Sequence, residues 1–272
     1  MFARVAFAEA VKSLKVYFFS SRTLFWALAL PLGNGLYLYF LYLPFAATTV
    51  DLQFGAAMPT KIDLVGFTII GQLLYSFFTM MLLAGASFDA ERWQGTLEVL
   101  LLSPANRLAL LLGGALANAV NYMWMLIALV LSWVAFIHVG IFVTDLLALS
   151  VSLVLSYAAM IALGMCLETL EIYSRRGSIF TAWLQEPVTF LSGQIFPLQK
   201  MPTFLLPLSY LLPLTFGLMA VRLTLLGGAS IYAVTMPLAA LASMTIIFLV
   251  LAGLFVNYAE RKAKANATLT QF

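Results

Sequence analysis

Residues 89–107 read DAERWQGTLEVLLLSPANR, a short charged segment between two long apolar stretches. The chain as a whole is 63% hydrophobic and only 9% charged. Charged side chains are costly in hydrocarbon, so we expect this segment to lie in water or against another protein. Its charged residues alternate with apolar ones, which favours a helix lying along a surface over a solvated loop.

The composition predicts an all-α polytopic membrane protein. About 20 mostly apolar residues in a helix are needed to cross a bilayer. No soluble domain is left over, so residues 1–272 are predicted to form a single transmembrane domain. Six segments are long and apolar enough to be predicted as spans: 24–43, 64–88, 108–137, 142–167, 179–196 and 232–258.

Three further segments complete the predicted architecture. Residues 1–22 carry apolar side chains on one helical face and cations mostly elsewhere, which predicts an N-terminal interfacial helix. Residues 89–104 are predicted to form a cytoplasmic helix that Pro104 ends. Residues 197–226 are apolar but rich in proline, which predicts short broken helices in an outer re-entrant segment, tolerated at membrane depth only against protein or water.

The basic residues predict the orientation, because cytoplasmic loops carry an excess of Lys and Arg. Both termini and the charged segment are therefore expected in the cytoplasm, with the chain in the cell (inner) membrane. The net charge of +3 follows from this bias and gives no reason to expect nucleic-acid binding. Eleven of the 14 cations fall on the predicted inner side: Arg4, Lys12, Lys15, Arg22, Arg92, Arg107, Arg175, Arg176, Arg261, Lys262 and Lys264.

No catalytic or metal site is predicted in this chain. A phosphate-binding Walker A loop ends in Gly-Lys-[Ser/Thr], and no lysine here follows a glycine. The one histidine, His138, and the one cysteine, Cys166, cannot supply a metal cluster or a nucleophile–base set. If the chain does work, something else must therefore supply the energy.

Residues 95–107, GTLEVLLLSPANR, resemble the signature of ABC-2 type transporter permeases, roughly GTLE-x-LL-x-SP-x-x-R. Residues 190–216, FLSGQIFPLQKMPTFLLPLSYLLPLTF, resemble the fifth span and the re-entrant segment of the same family. The six-span layout with its N-terminal interfacial helix also agrees, so the resemblance covers nearly the whole chain. It implies the type V fold of ABC exporters.

The resemblance implies a dimer of two permease subunits, identical or homologous, each docked to a separate ATP-binding subunit that holds ATP and Mg. It also implies that the cytoplasmic helix at 89–104 is a coupling helix. Its apolar residues recur at helical spacing and can anchor in a groove, while its charges can pair with the partner. The residues predicted to contact the ATP-binding subunit are Glu91, Arg92, Trp93, Gly95, Thr96, Leu97, Glu98, Leu100 and Leu101.

Two predicted spans, the second and the fifth, carry polar side chains at helical repeat. These stripes either pack helices together through hydrogen bonds or line a central cavity at the dimer interface, where the family places these spans. Glu186 is predicted at about 15 Å depth from a rise of 1.5 Å per residue, and an ionisable group there indicates function. The predicted substrate path is Thr68, Gln72, Ser76, Thr79, Thr181, Gln185, Glu186, Thr189 and Ser192.

The sequence thus predicts the permease of an ATP-driven exporter for an amphipathic drug, a lipid or a lipid-linked glycan. The alternative is an ion-coupled secondary transporter that uses Glu186 at the membrane midplane. Such transporters are built from paired repeats, and no internal repeat is evident in this chain.

Overall fold

The computed structural model describes residues 2–18, 33, 40, 49–52, 60–82, 108–117, 119–120, 127, 145–173, 177–195 and 197–265. The charged segment 89–107 and nearly all of the predicted first span, 24–43, lie outside this part. In chain order its elements are α1 (Phe2–Phe18), β1 (Thr49–Leu52), β2 (Thr60–Asp63), α2 (Leu64–Leu82), α3 (Leu108–Ala117), α4 (Leu146–Tyr173), α5 (Gly177–Leu191), a 3-10 turn (Leu198–Lys200), α6 (Leu206–Ser209), α7 (Pro213–Leu225) and α8 (Thr235–Ala265).

The described part is predominantly helical, in agreement with the predicted class, with one exception. β1 and β2 pair antiparallel, with Thr49 opposite Asp63 and Leu52 opposite Thr60. β-branched residues such as Val50 and Ile62 suit a pleated strand. A short two-stranded ladder, which is not predicted from the sequence, therefore lies immediately before α2.

Two described helices are long and apolar enough to cross a membrane by length and composition: Leu146–Thr169 in α4 and Thr235–Tyr258 in α8, with mean hydropathies of 2.3 and 2.5. They overlap the predicted fourth and sixth spans. α5 has only 15 residues, about 22 Å at the helical rise, and ends five residues before the predicted end of the fifth span. The chain turns at Gly193, whose φ of 77° is a left-handed conformation that glycine adopts without a steric penalty.

α7 is the most enclosed helix of the described part. Every residue from Pro213 to Thr224 is buried. Leu214 and Leu218 of α7 pack with Phe67 and Leu74 of α2 in the largest apolar cluster. The proline-rich region expected to form broken helices thus has α6, a turn and then a helix at the centre of the fold, where its apolar residues leave water.

Close helix approaches occur where a glycine leaves room. A Cβ on Gly113 of α3 would lie 2.5 Å from the Ala6 carbonyl oxygen of α1, and one on Gly164 of α4 would lie 2.8 Å from the Met81 carbonyl oxygen of α2. Small residues at such points let helix backbones approach closely. Phe7 of α1 is 72% exposed, so the side of α1 away from α3 presents a large apolar side chain.

Asp145 joins the start of α4 to the loop before α8. Its Oδ1 accepts hydrogen bonds from the Leu147 and Ala148 amides at 3.1 and 3.0 Å, and its Oδ2 accepts one from the Ile231 amide at 3.1 Å. α4 and α8 therefore begin side by side. Leu223 of α7 packs there against Val234. We call this region, where α2, α4 and α8 begin and α5 ends, the common end.

Candidate functional site

The predicted polar stripe of α2 is turned mostly toward protein. Thr68 is buried, and Gln72, Ser76 and Thr79 are half-buried. The Thr79 hydroxyl donates to the carbonyl oxygens of Tyr75 and Ser76 on its own helix, at 3.1 and 2.9 Å. The Gln72 amide nitrogen lies 3.4 Å from the Ser76 hydroxyl. These hydroxyls are thus satisfied largely within α2.

The predicted polar residues of α5 divide between two faces of the helix. Gln185 and Thr189 are half-buried and Ser192 is buried, whereas Glu186 is exposed. The side chain of Thr181 lies outside the described part. The sequence predicts Glu186 beside the stripe of Thr181, Gln185, Thr189 and Ser192, because neighbours along a helix point about 100° apart, and in the structure Glu186 is exposed while Gln185 is half-buried.

The exposed side of α5 carries aromatic and acidic groups together. Trp183 is 76% exposed and Phe190 is 54% exposed, and Glu186 and Pro187 between them are also exposed. Positions three and four apart lie on the same side of a helix. We call these four residues the α5 outer face.

The inner side of α5 contacts α2 directly. The Gln194 amide nitrogen, just after α5, donates to the Gln72 side-chain oxygen at 2.8 Å, and the Tyr75 hydroxyl donates to the Gln185 carbonyl oxygen at 3.3 Å. Of the two predicted stripes, only the Gln72 side chain and the Gln185 backbone take part in these bonds, and their partners, Gln194 and Tyr75, lie outside the predicted path. The surface left open along α5 is its outer face.

Arg222 of α7 lies beside this contact and is not among the site residues predicted from the sequence. It is only 3% exposed. Its Nε and Nη2 both donate to the Phe67 carbonyl oxygen, at 3.1 and 2.9 Å. Nη1 donates to the Gly193 carbonyl oxygen and Nη2 to that of Gln194, both at 2.7 Å. The guanidinium carbon also lies 3.4 Å from the centroid of the Phe67 ring, a close cation–π contact.

Gly71 makes room for this cluster. A Cβ at that position would lie 2.6 Å from Nη2 of Arg222 and 2.7 Å from the Gln194 carbonyl oxygen. No side chain larger than hydrogen fits there without displacing the guanidinium or the chain after α5. Arg222, Gly71, Phe67, Gly193 and Gln194 form what we call the Arg222 cluster.

A sequence signal for Arg222 does exist. It is the one charged residue of the α7 sequence PLTFGLMAVRLTL, and a lone charge in an apolar helix indicates a specific partner or role. The sequence around Arg222 gives no hint of its partners, because Phe67 is 155 residues away.

The residues predicted to contact an ATP-binding subunit, Glu91 to Leu101, all lie outside the described residues, so their role stays a prediction. The family model of the ABC-2 type transporter matches residues 6–226, from α1 to the end of α7. A search of curated protein sequences finds no significant match. Because the family model covers most of the chain and the described part is built of apolar helices, the chain belongs to the ABC-2 type transporter family and is a transmembrane permease of such a transporter.

Proposed function

We propose that this permease belongs to an exporter that moves an amphipathic drug, a lipid or a lipid-linked glycan out of the cell. Its energy comes from a separate ATP-binding subunit, which holds the ATP and Mg. The absence of a Walker A sequence in the chain supports this division of labour. So does the family, whose members work with an ABC ATP-binding partner in a lipid membrane.

The observation that carries the proposed substrate path is the α5 outer face. Since α2 and α5 touch through Gln72 and Gln194, cargo cannot pass between them within one chain without separating them. The exposed face offers an acidic group, Glu186, flanked by the rings of Trp183 and Phe190. This combination suits a molecule with an apolar body and a cationic or hydroxyl-rich part.

The arrangement we propose places a second permease subunit opposite, so that two α5 outer faces border one path. The chain then lies in the inner membrane with both termini in the cytoplasm. The segment 89–104 acts as the coupling helix through which the ATP-binding subunit moves the permease. An ion-coupled transporter using Glu186 is not favoured by the family match.

The partnership is tested by co-expressing the chain with candidate ATP-binding subunits and purifying the complex. We expect a stoichiometric complex that Glu98→Lys or Arg92→Glu disrupts, because each substitution reverses a charge predicted to meet the partner. Lys200→Glu is the control, since it reverses an exposed charge that lies far along the chain from the coupling helix. Transport of cargo by the purified chain alone, driven by an ion gradient, would overturn the proposal.

A further inference from the structure

We propose that Arg222 is a positioning residue for transport: it holds the end of α5 against the start of α2, and so makes the α5 outer face move together with α2 and α7. This inference rests on the proposed function for its transport step. The attachment itself is a property of the chain alone. The two parts are therefore tested separately below.

The N–H groups of the Arg222 guanidinium find nearly as many hydrogen bonds as they can donate, and the acceptors lie where the fork of N–H groups points. Arginine presents five N–H donors in a rigid planar fork, and the four hydrogen bonds described here end on three backbone carbonyls. Gly193 and Gln194 follow the last turn of α5, where helix carbonyls lack partners within the helix. That end of a helix is also its negative pole, which favours a cation.

The burial of the cluster makes the attachment costly to break. Arg222 is 3% exposed, and Gln194 is equally buried. Moving α5 away from α2 would break the bonds to the Gly193 and Gln194 carbonyls and take from a buried cation two of its four hydrogen bonds, which costs more than losing the same bonds in water.

The attachment joins three elements rather than two. Arg222 belongs to α7, which packs its Leu218 and Val221 against Phe67 and Ile70 of α2. Gln194 adds a direct amide bond to Gln72. A displacement of α5 at the common end must therefore carry α2 and α7 with it, or else open the Arg222 cluster.

The first test uses Arg222→Gln and Arg222→Lys in the complete complex with its ATP-binding subunit. We expect Arg222→Gln to assemble and keep basal ATP hydrolysis, but to lower transport per ATP hydrolysed about tenfold, a common size for coupling between sites. Arg222→Lys should recover part of the loss, because a lysine keeps the charge but cannot span three carbonyls. A merely structural role would lower the yield, hydrolysis and transport together, and that result would overturn the proposal.

A second pair of variants tests the Arg222 cluster by steric strain and leaves the charge of Arg222 in place. Gly71→Ala puts a Cβ 2.6 Å from the Arg222 side chain, whereas Gly164→Ala puts one 2.8 Å from the Met81 carbonyl oxygen, away from the cluster. Both introduce similar steric strain. Only Gly71→Ala should lower transport per ATP. An equal amount of transport per ATP hydrolysed in the two variants would contradict the role of Arg222.

The attachment is measured without any partner by hydrogen exchange on the purified chain in lipid nanodiscs. Arg222→Gln should speed exchange at residues 192–198 and leave the middle of α8 unchanged. Unchanged exchange at 192–198 overturns the attachment whatever the transport result. If exchange changes as expected but the wild-type complex transports nothing, the proposed function fails and the attachment stands. If the wild type transports and Arg222→Gln does so equally well, the positioning role fails alone.

Discussion

Glu186 stands on the exposed side of α5 with an aromatic ring one turn away in each direction, at Trp183 and Phe190. On the opposite side of the helix, Tyr75 bonds the Gln185 carbonyl, which fixes the rotation of α5 on α2. A carboxylate held outward in this way is available to cargo or to a second subunit. It is not needed for the contact between α2 and α5.

We therefore predict that Glu186→Gln lowers transport and substrate-stimulated ATP hydrolysis about three- to tenfold while assembly stays intact. The substitution keeps the side-chain volume but removes the charge, and a hydrogen bond to a charged group is worth about 1 kcal/mol more than one to a neutral group. Both activities are measured on the purified complex in proteoliposomes.

The control is Glu9→Gln, the same chemical change on α1, where Glu9 pairs with Lys12 at 3.4 Å. Lys12 is exposed and Glu9 is half-buried, and a pair that reaches the surface in this way is worth little, so activity should not change. Wild-type activity of Glu186→Gln in both assays would show that Glu186 is not part of the substrate path.

The sequence points to Glu186 because an acidic residue in an apolar run is rare and costly. It does not reveal which of Gln185 and Glu186 faces the protein, since that depends on how α5 is rotated against α2. Arg222 meets the same criterion as Glu186. Its hydrogen-bond partners are backbone carbonyls of other elements. Because every residue type has a backbone carbonyl, no pattern of side chains in the sequence predicts which ones Arg222 contacts.

At the scale of elements, Asp145 is the cap of α4 and its link to α8. The Ala148 amide first, and then the Ile231 and Leu147 amides, stabilise the ionised carboxylate and hold the pKa of Asp145 below its usual range. Asp is a favoured residue at a helix start because its side chain accepts the unpaired amides there.

This lowered pKa predicts a pH-dependent contribution to stability. A group whose pKa is lower in the folded state stabilises the fold above its unfolded pKa, and the contribution is lost as the pH falls through the folded value. For Asp145 the loss begins near pH 4. We expect Asp145→Asn to unfold at a lower temperature than wild type at pH 7, and the gap to narrow as the pH falls below about 4.

Thermal unfolding in detergent, followed across that pH range, measures this gap. Ser230→Ala serves as the control, because Ser230 is an exposed neighbour of Ile231 that keeps the carboxylate in place. A gap between wild type and Asp145→Asn that stays constant from pH 7 to 3 would show that the charge on Asp145 contributes nothing.

Element type follows from the sequence where apolar runs are long. α4 and α8 are examples, because each contains 24 residues that are apolar enough to span a bilayer. The ladder between β1 and β2 does not follow, since its strands have four residues each and depend on pairing with each other. The early end of α5 depends on one glycine, Gly193, that adopts a positive φ.

At the scale of the whole molecule, the fold surrounds α7 with α2, α4 and α8. Composition is enough to predict a membrane protein, because so little of the chain is charged. It does not say which helix is central, since an apolar face looks the same whether it meets lipid or another helix. The central helix, α7, contains small and polar residues. One example is Gly217, which lies against Ser156 of α4.

Large apolar side chains exposed on the described body fall on several helices, notably Trp183 on α5 and Met236 on α8. Lipid can cover either helix, so exposure does not identify a subunit interface. The carboxylate of Glu186 distinguishes the exposed face of α5 from that of α8. A charge that faces lipid is costly, whereas one that faces a water-filled path between subunits is not. We therefore predict that two permease subunits meet across their α5 outer faces.

Cysteine cross-linking in membranes tests this arrangement. Cys166 is the single cysteine and is buried, so its replacement by alanine gives a background free of thiols. In a two-fold dimer a residue near the axis meets its own copy, and we expect Trp183→Cys to form a disulfide-linked dimer on mild oxidation. Met236→Cys, exposed on α8, is the matched control and should stay monomeric. Linkage through Met236→Cys but not through Trp183→Cys would place the subunit contact on α8 and leave the α5 outer face to lipid.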